Sequence, residues 1–361
     1  MKYKLRHKIL IAAVLVLTAV SCEKNVGGTG SVTLNIGVCG TGLSVETGPW
    51  SKADGYVDAT KYEGLYTVRV IVTSGQRGSR IIHYNDKDSL TSDQGTATEY
   101  HCTIDGLPIG TALTFYVIAN EESLDADYST IEDNFLVNHK ILYVEEQEDI
   151  NSRHFPKTGP ELEKSGKGLP MSGRTETPVT LTDTDPVSVR VDLDRSVVKL
   201  SLKVYNETNE DITLSSVTFG DFFGDRFYMF RETTLDVPDD SKYLPKTYEA
   251  VNIPTIPAYN PSTHSEFPSV GPLSLYLYPT DARKEEPVNN PYTIALTTAD
   301  PTDPTKHRTY SALEFAPEEK YFTRNNVIHI NAYISTSGVE LKFQVSDWDD
   351  HAVKFDEIDF N

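Results

Sequence analysis

The chain has 361 residues, a formal charge of −20, 38% hydrophobic residues and three cysteines. The acidic balance excludes nucleic-acid binding and attachment to an anionic membrane through a basic patch, and so few cysteines exclude a disulfide-dense mini-scaffold. Length and apolar content suffice for two ordinary domains or one large one.

The first residues read as an export signal. Lys2, Lys4, Arg6 and Lys8 precede an apolar run over 9–20, and Ala19-Val20-Ser21 leads directly into Cys22. This layout predicts a secretory signal peptide over 1–21, because the run falls short of the ~20 residues of a comfortable membrane span. A cysteine placed just after small residues resembles the lipobox of bacterial lipoproteins. That resemblance implies lipidation of Cys22 and an outer-membrane, surface-exposed mature chain; the alternative is an ordinary signal peptide with a chance cysteine. Cys39 and Cys102 are then the remaining pair, either bridged in an oxidising compartment or buried as thiols.

Beyond the signal, period-two alternation dominates. Over 31–38, Val32, Leu34, Ile36 and Val38 share one face while Ser31, Thr33 and Asn35 share the other. Similar runs follow at 67–73, 113–119, 187–193, 197–205, 212–219, 273–278, 292–296 and 327–334. Short β-rich runs separated by Gly, Pro, Asn and Asp predict an all-β chain of antiparallel sandwiches. A short helix or two is expected within 120–137. Strand runs thin out over 151–186, which places a domain boundary near 186 and predicts sandwiches over 22–186 and 187–335. The prolines of 253–272 exclude a central strand there, and 299–306 reads as a turn-rich link.

A search for chemistry returns little. There is no Gly-x-Ser-x-Gly elbow, zinc helix, Cys-x-x-Cys pair or phosphate-cradling glycine loop, so no catalytic residue, metal or cofactor is expected. His329 keeps the alternation of its neighbours and reads as a strand-face histidine. Asp86-Lys87-Asp88 and Asp347-Trp348-Asp349-Asp350 lack the glycine and glutamate of an EF-hand loop and read as solvated turns. The aromatic cluster at 222–230 is either a binding surface or a hairpin facing the second core across a Gly224-Asp225 turn; the hairpin is preferred.

Several local patterns resemble the fimbrillin family, the type V pilins of Bacteroidota and their anchor and tip relatives. They are LYTVRVIVTS at 65–74, GTALTFYVIANE at 110–121, LPMSG at 169–173, VDLDRSVVKLSLKVYN at 191–206, and Arg324-Asn325-Asn326 before the alternating 327–334. The resemblance spans about residues 31–335 in the family's order. It implies two tandem transthyretin-like antiparallel β-sandwich domains and a non-enzymatic role. That role is a tip or stalk subunit of a cell-surface fimbrium, exported as a lipoprotein and partnered with other fimbrial subunits. Adhesion to a host or bacterial surface ligand is compatible with it.

Such subunits join by strand donation, in which an extended segment completes a neighbour's sheet. The tail, 336–361, suits that role. Val339, Leu341, Phe343 and Val345 alternate with Glu340, Lys342 and Gln344, and Val353 and Phe355 follow. These six are the candidate donor residues; folding back into the chain's own domain is the alternative. In the family's stalk subunits a cut after an arginine removes the first strand. Between Cys22 and Arg69 this chain has no arginine, leaving Lys52 and Lys61 as candidate processing sites. An anchor subunit ranks second, and a surface glycan-binding lipoprotein using Trp50, Trp348 and the 222–230 aromatics is the reading from another class.

Overall fold

The computed structural model describes residues 28–39, 64–74, 80–84, 88–89, 99–121, 168–183, 185–224, 227–230, 236–237, 242–249, 253–280, 292–312 and 322–347. Every element named among them is a strand, so the chain is all-β as expected. The signal segment, Cys22, Lys52, Lys61, Trp50, Trp348, Val353 and Phe355 lie outside the described residues, as does nearly all of the expected 120–137 helix.

Nine strands form the first unit: β1 (Thr29–Val38), β2 (Thr67–Ser74), β3 (Arg80–Tyr84), β4 (Asp88–Ser89), β5 (Glu99–Pro108), β6 (Ala112–Ala119), β7 (Met171–Arg174), β8 (Val179–Thr180) and β9 (Val187–Arg195). Their sheet runs β3-β2-β6-β7-β9-β1-β5, with β4 added on β2 and β8 on β6. The short β7 is the hinge of this path. It pairs with β6 along its whole length, from Ala119↔Met171 to Tyr116↔Arg174, and with β9 only at Met171↔Arg195 and Ser172↔Asp194. Gly173 permits the approach, since a Cβ there would sit 2.1 Å from the Asp192 carbonyl oxygen. The alternate residues Val32, Leu34 and Ile36, Val68, Val70 and Val72, Leu113, Phe115 and Val117, and Val189, Val191 and Leu193 fill one core. Period-two patterning puts each set on one face of its strand, which is what lets the halves close over each other.

The second unit has β10 (Val198–Asn206), β11 (Thr213–Gly224), β12 (Tyr243–Glu249), β13 (Ser269–Leu277), β14 (Ile294–Asp300), β15 (Asp303–Ala312), β16 (Asn326–Ile334) and β17 (Val339–Asp347). They make two four-stranded sheets, β13-β10-β16-β17 and β12-β11-β14-β15. Leu200, Leu202, Ile328 and Ile330 from one sheet share a core with Leu214, Phe219, Ile294 and Leu296 from the other. Pro272 falls in β13, a strand at the sheet's edge, where a missing N–H is tolerated. The 299–306 link is a hairpin turn. Asp300 Oδ1 accepts from Thr302 N at 2.8 Å and Thr302 Oγ1 at 2.6 Å, and Asp303 treats Thr305 alike.

The crossing between units differs from the boundary expected near 186. β9 pairs in parallel with β1 from Val32↔Val187 to Val38↔Leu193, so it belongs to the first unit. The chain changes sheets at Ser196-Val197, a strand's length later. Composition marked the loop before β9 and is blind to which sheet an alternating strand joins.

His329 sits on β16 between Ser201 of β10 and Gln344 of β17. Burial, helped by the Lys199 ammonium, lowers its pKa to about 4. Because the unfolded imidazole titrates near 6.5, the unfolded chain binds its proton first. The stabilisation is therefore complete above about pH 6.5 and drains away as pH falls towards 4. His329→Gln is expected to flatten this acid limb by roughly 2 kcal/mol after allowing for partial exposure, read from denaturant midpoints at pH 7.5 and 4.5.

Candidate functional site

The strand nearest the N-terminus, β1, lies inside a sheet. It is hydrogen-bonded antiparallel to β5 on one side and parallel to β9 on the other. Its inward residues are nearly sealed: Val32 and Leu34 are 0% exposed, Ile36 1% and Val38 5%. Polar ties hold its outer face. Ser31 Oγ donates to Asp105 Oδ1 at 2.5 Å, and Asn35 Nδ2 donates to Ser188 Oγ at 2.9 Å. Asn35 Oδ1 meets His101 Nδ1 at 2.8 Å, so one side chain spans three strands.

The exit of β1 is gripped by a buried cation. Cys39 N donates to Leu193 O at 2.9 Å, and Arg195 Nη1 donates to Cys39 O at 2.6 Å. Arg195 N also donates to Asn325 Oδ1 at 3.3 Å, and Asn325 N to Val197 O at 2.9 Å, just before β16 begins. Cys39 and Cys102 are not joined by a disulfide. Cys102 pairs opposite Leu34, well back along β1 from Cys39, beyond the reach of a bridge.

At the other end, Val339, Leu341, Phe343 and Val345 lie in β17, which pairs antiparallel with β16 from Ile334↔Val339 to Asn326↔Asp347. This is the fold-back arrangement. β17 ends its sheet, and Val339 and Leu341 are only half-buried against the second core. It is thus held by one neighbour where β1 is held by two.

The aromatic cluster is not the hairpin expected from sequence. β11 ends at Gly224, and its partner β12 begins only at Tyr243. Phe227, Tyr228, Met229 and Phe230 are buried at the junction of the units. Phe227 stacks on Tyr278, and Phe230 meets Tyr116 of β6 edge-on, each at 5.0 Å between centroids. Backbone polarity is settled by Arg324. Its Nη1 donates to Met229 O at 2.8 Å, its Nη2 to Tyr228 O, and its Nε to Asp236 Oδ1 at 2.5 Å. Ser172 Oγ of β7 also donates to Met229 O.

Two further polar nodes escaped sequence reasoning. Arg69 of β2 makes a bidentate pair with Glu121, Nε to Oε2 at 2.6 Å and Nη2 to Oε1 at 2.5 Å, both side chains about 5% exposed. Between them sits Asn120, in the left-handed region at φ 57°. It accepts from Tyr66 N at 2.8 Å and donates to Gly64 O at 2.9 Å and Leu169 O at 2.7 Å. The available signal was a charge at a strand-interior position, Arg69, matched by an acid just past a strand end, Glu121.

Among the described residues no group of three or more His, Cys, Asp or Glu could hold a metal ion. A polar groove of about 770 Å³ opens where β7 parts from β9, lined by Arg174, Glu176, Arg190, Asp192 and Asp194 among others. Arg190 Nε is already bonded to Asp192 Oδ1 at 2.7 Å.

Of the aromatics that a sugar platform would use, Phe227, Tyr228 and Phe230 are buried, and both tryptophans lie outside the described residues. The outward tyrosines Tyr205 and Tyr333 stack on each other at 4.5 Å and 6°. Lys203 Nζ lies 4.9 Å over the first ring and Lys342 Nζ 5.0 Å over the second. The faces on which a pyranose would stack are taken.

No family model matches the chain, and no curated protein does. Solved structures do match. The tip fimbrial protein Mfa3 of Porphyromonas gingivalis, with a C-terminal truncation, aligns over 89% of this chain and 100% of its own, at 13% identity and TM-score 0.52. The chain has the fold of a fimbrial protein. A candidate cell adhesion protein of Parabacteroides distasonis aligns over 90% of this chain and 99% of its own, at 12% identity and TM-score 0.53. One from Bacteroides eggerthii covers 88% and 96%, at 13% identity and TM-score 0.51. The fimbrial fold thus extends through both units, in agreement with the resemblance read from the motifs.

Proposed function

We propose that this chain is a fimbrillin-family structural subunit of a cell-surface fimbrium, a tip or stalk component that joins other subunits by strand exchange. It is exported as a lipoprotein through Cys22 and reaches the outer surface before any processing. The observation that carries this reading is the position of β1. A strand close to the N-terminus fills the middle of a sheet, so its removal would leave a slot with backbone edges on both walls and four apolar pockets in its floor. An extended segment is the chemical match for such a slot. Among the described residues β17 is attached on one side only, which lowers the loss on donating it. With no arginine between Cys22 and Arg69, opening the slot falls to a cut at Lys52 or Lys61; uncut, the chain would end a fibre, as a tip or an anchor does. An anchor role ranks behind, because an anchor needs to accept a strand more than to donate one.

The test is assembly of the mature chain on denaturing gels loaded without boiling. Expressed together with the other subunits of its fimbrium, the full chain should enter a heat-labile high-mass ladder, and a chain lacking 336–361 should stay out of it while keeping the far-ultraviolet signature of its first unit. Identical behaviour of the two proteins would remove donation through this tail. Amino-terminal sequencing of the surface form separates the processing states. A start at Cys22 means a retained β1, and a start beyond Lys52 means an open slot.

A further inference from the structure

We infer that the β1 slot of this chain does not accept the chain's own tail, and that its occupant is a strand from a chemically different subunit with aliphatic residues at four alternate positions. This rests on the strand-exchange reading above and names the partner of that slot.

The four pockets now hold Val32, Leu34, Ile36 and Val38. The two central ones are closed on every side, as is the first; only the pocket of Val38, at 5% exposure, is looser. Leu34 lies between Val189 of β9 and Cys102 of β5, and Ile36 between Val191 and Tyr100. They are 0% and 1% exposed. Interiors this closed are packed to near-crystalline density, and one added ring forces neighbours off their rotamers.

From 336 onward, only one set of four alternate residues is wholly apolar: Val339, Leu341, Phe343 and Val345. In this set the phenylalanine is third counting forward and second counting backward. Whichever way the tail runs, its ring falls on a central pocket. Sliding the tail by two residues to carry the ring to an end pocket puts Ser337 in the opposite end pocket, where a hydroxyl replaces a valine; sliding the other way leaves the ring in a central pocket and buries Asp347 as well. The stretch around Val353 and Phe355 fares no better, since Glu357 and Asp359 share their face and His351 precedes them. A buried carboxylate without a partner is costlier still than a crowded ring.

The outer face does not rescue the match. Asn35 spans from Ser188 to His101, whereas the tail would present Lys342 beside that histidine in the forward register. Gly37 also leaves room for Arg190, whose Nη2 would lie 2.9 Å from a Cβ at that position; Gln344 would have to displace it. Both the pockets and the rim therefore favour a sequence resembling β1 over one resembling β17. A slot that rejects the chain's own tail prevents a run of identical copies.

The experiment uses the purified mature chain with one protease site inserted within 41–60, cut after folding so that β1 stays in place without a covalent link. It is incubated with equal amounts of three labelled peptides: 29–39, 337–347, and 337–347 carrying Phe343→Leu. Native mass spectrometry reads which peptide replaces the nicked strand. The expected result is entry of 29–39 and of the Phe343→Leu peptide, with the unmodified tail peptide about tenfold or more behind. Equal entry of 29–39 and the unmodified tail peptide overturns the selectivity and leaves strand exchange standing. Failure of the Phe343→Leu substitution to improve entry shows that the ring is not the determinant, which also overturns it. If no peptide enters, the slot is not replaceable and the underlying reading falls with the inference.

Discussion

An Asp236→Ala chain is expected to unfold about 3–5 kcal/mol more easily than its parent, because the change strands a buried guanidinium. Asp236 is 0% exposed at its side chain and Arg324 1%, so no water reaches the pair. Arg324 does more than neutralise the aspartate. It also holds the carbonyls of Tyr228 and Met229, which belong to the segment carrying Phe227 and Phe230 into the junction. Loss of the aspartate takes away the carboxylate that balances the cation and frees the 227–230 segment to move. The two units should then lose cooperativity, and one denaturant transition should broaden into two. The companion Asp236→Ala/Arg324→Met chain removes the unpaired charge and should recover part of the loss. Urea titration followed by both tyrosine fluorescence and circular dichroism checks this. Coincident, parent-like transitions in the single variant would show that the junction contributes little to stability.

The same node shows what the sequence made legible and what it did not. Period-two runs located most strands, because a half-buried strand needs an apolar residue at every second position and nothing else in water rewards that spacing. The runs at 31–38, 67–73 and 327–334 became β1, β2 and β16 for this reason. The motifs suggesting kinship were legible as strings, but their physical sense was not. In LYTVRVIVTS and GTALTFYVIANE the valines and aromatics are ordinary core, while Arg69 of β2 and Glu121, just past the end of the neighbouring β6, form one buried ion pair. Arg324 in the Arg-Asn-Asn string pairs with Asp236, a residue within a stretch that no periodicity singles out. Pairing of that kind depends on which strand lies beside which. Alternation encodes a face and is silent about neighbours.

The aromatic cluster failed for a related reason. Phe222 to Phe230 has the hydrophobicity of a hairpin and a Gly-Asp pair in its middle, which favours a tight turn. What decides against the turn is the first unit. Tyr116 of β6 and Ser172 of β7 offer the segment an edge-on ring and a hydroxyl, and a local pattern cannot register a surface more than fifty residues away. The boundary near 186 missed the crossing at Ser196-Val197 on the same ground, since β9 owes its place to β1, the first strand of its sheet.

Ile36→Ala is expected to cost about 2–5 kcal/mol in the first unit while leaving the second nearly untouched. Ile36 is 1% exposed between Val191 and Tyr100, so truncation opens a cavity that two regular strands cannot collapse to fill. The size of the loss matters less than where it appears. If β1 is a wedge that can be exchanged, weakening its central pocket should hasten its departure from the nicked chain, and the off-rate should rise in step with the stability lost. Hydrogen exchange provides the map. Amides of β5 and of the β1-facing edge of β9 should lose protection together, whereas β10 and β16 should keep theirs, because Leu200, Leu202, Ile328 and Ile330 pack in a core that does not include Ile36. Uniform loss of protection across both units would mean that β1 is an inseparable part of a single core, and a fimbrial joint made by replacing it would then have no physical route.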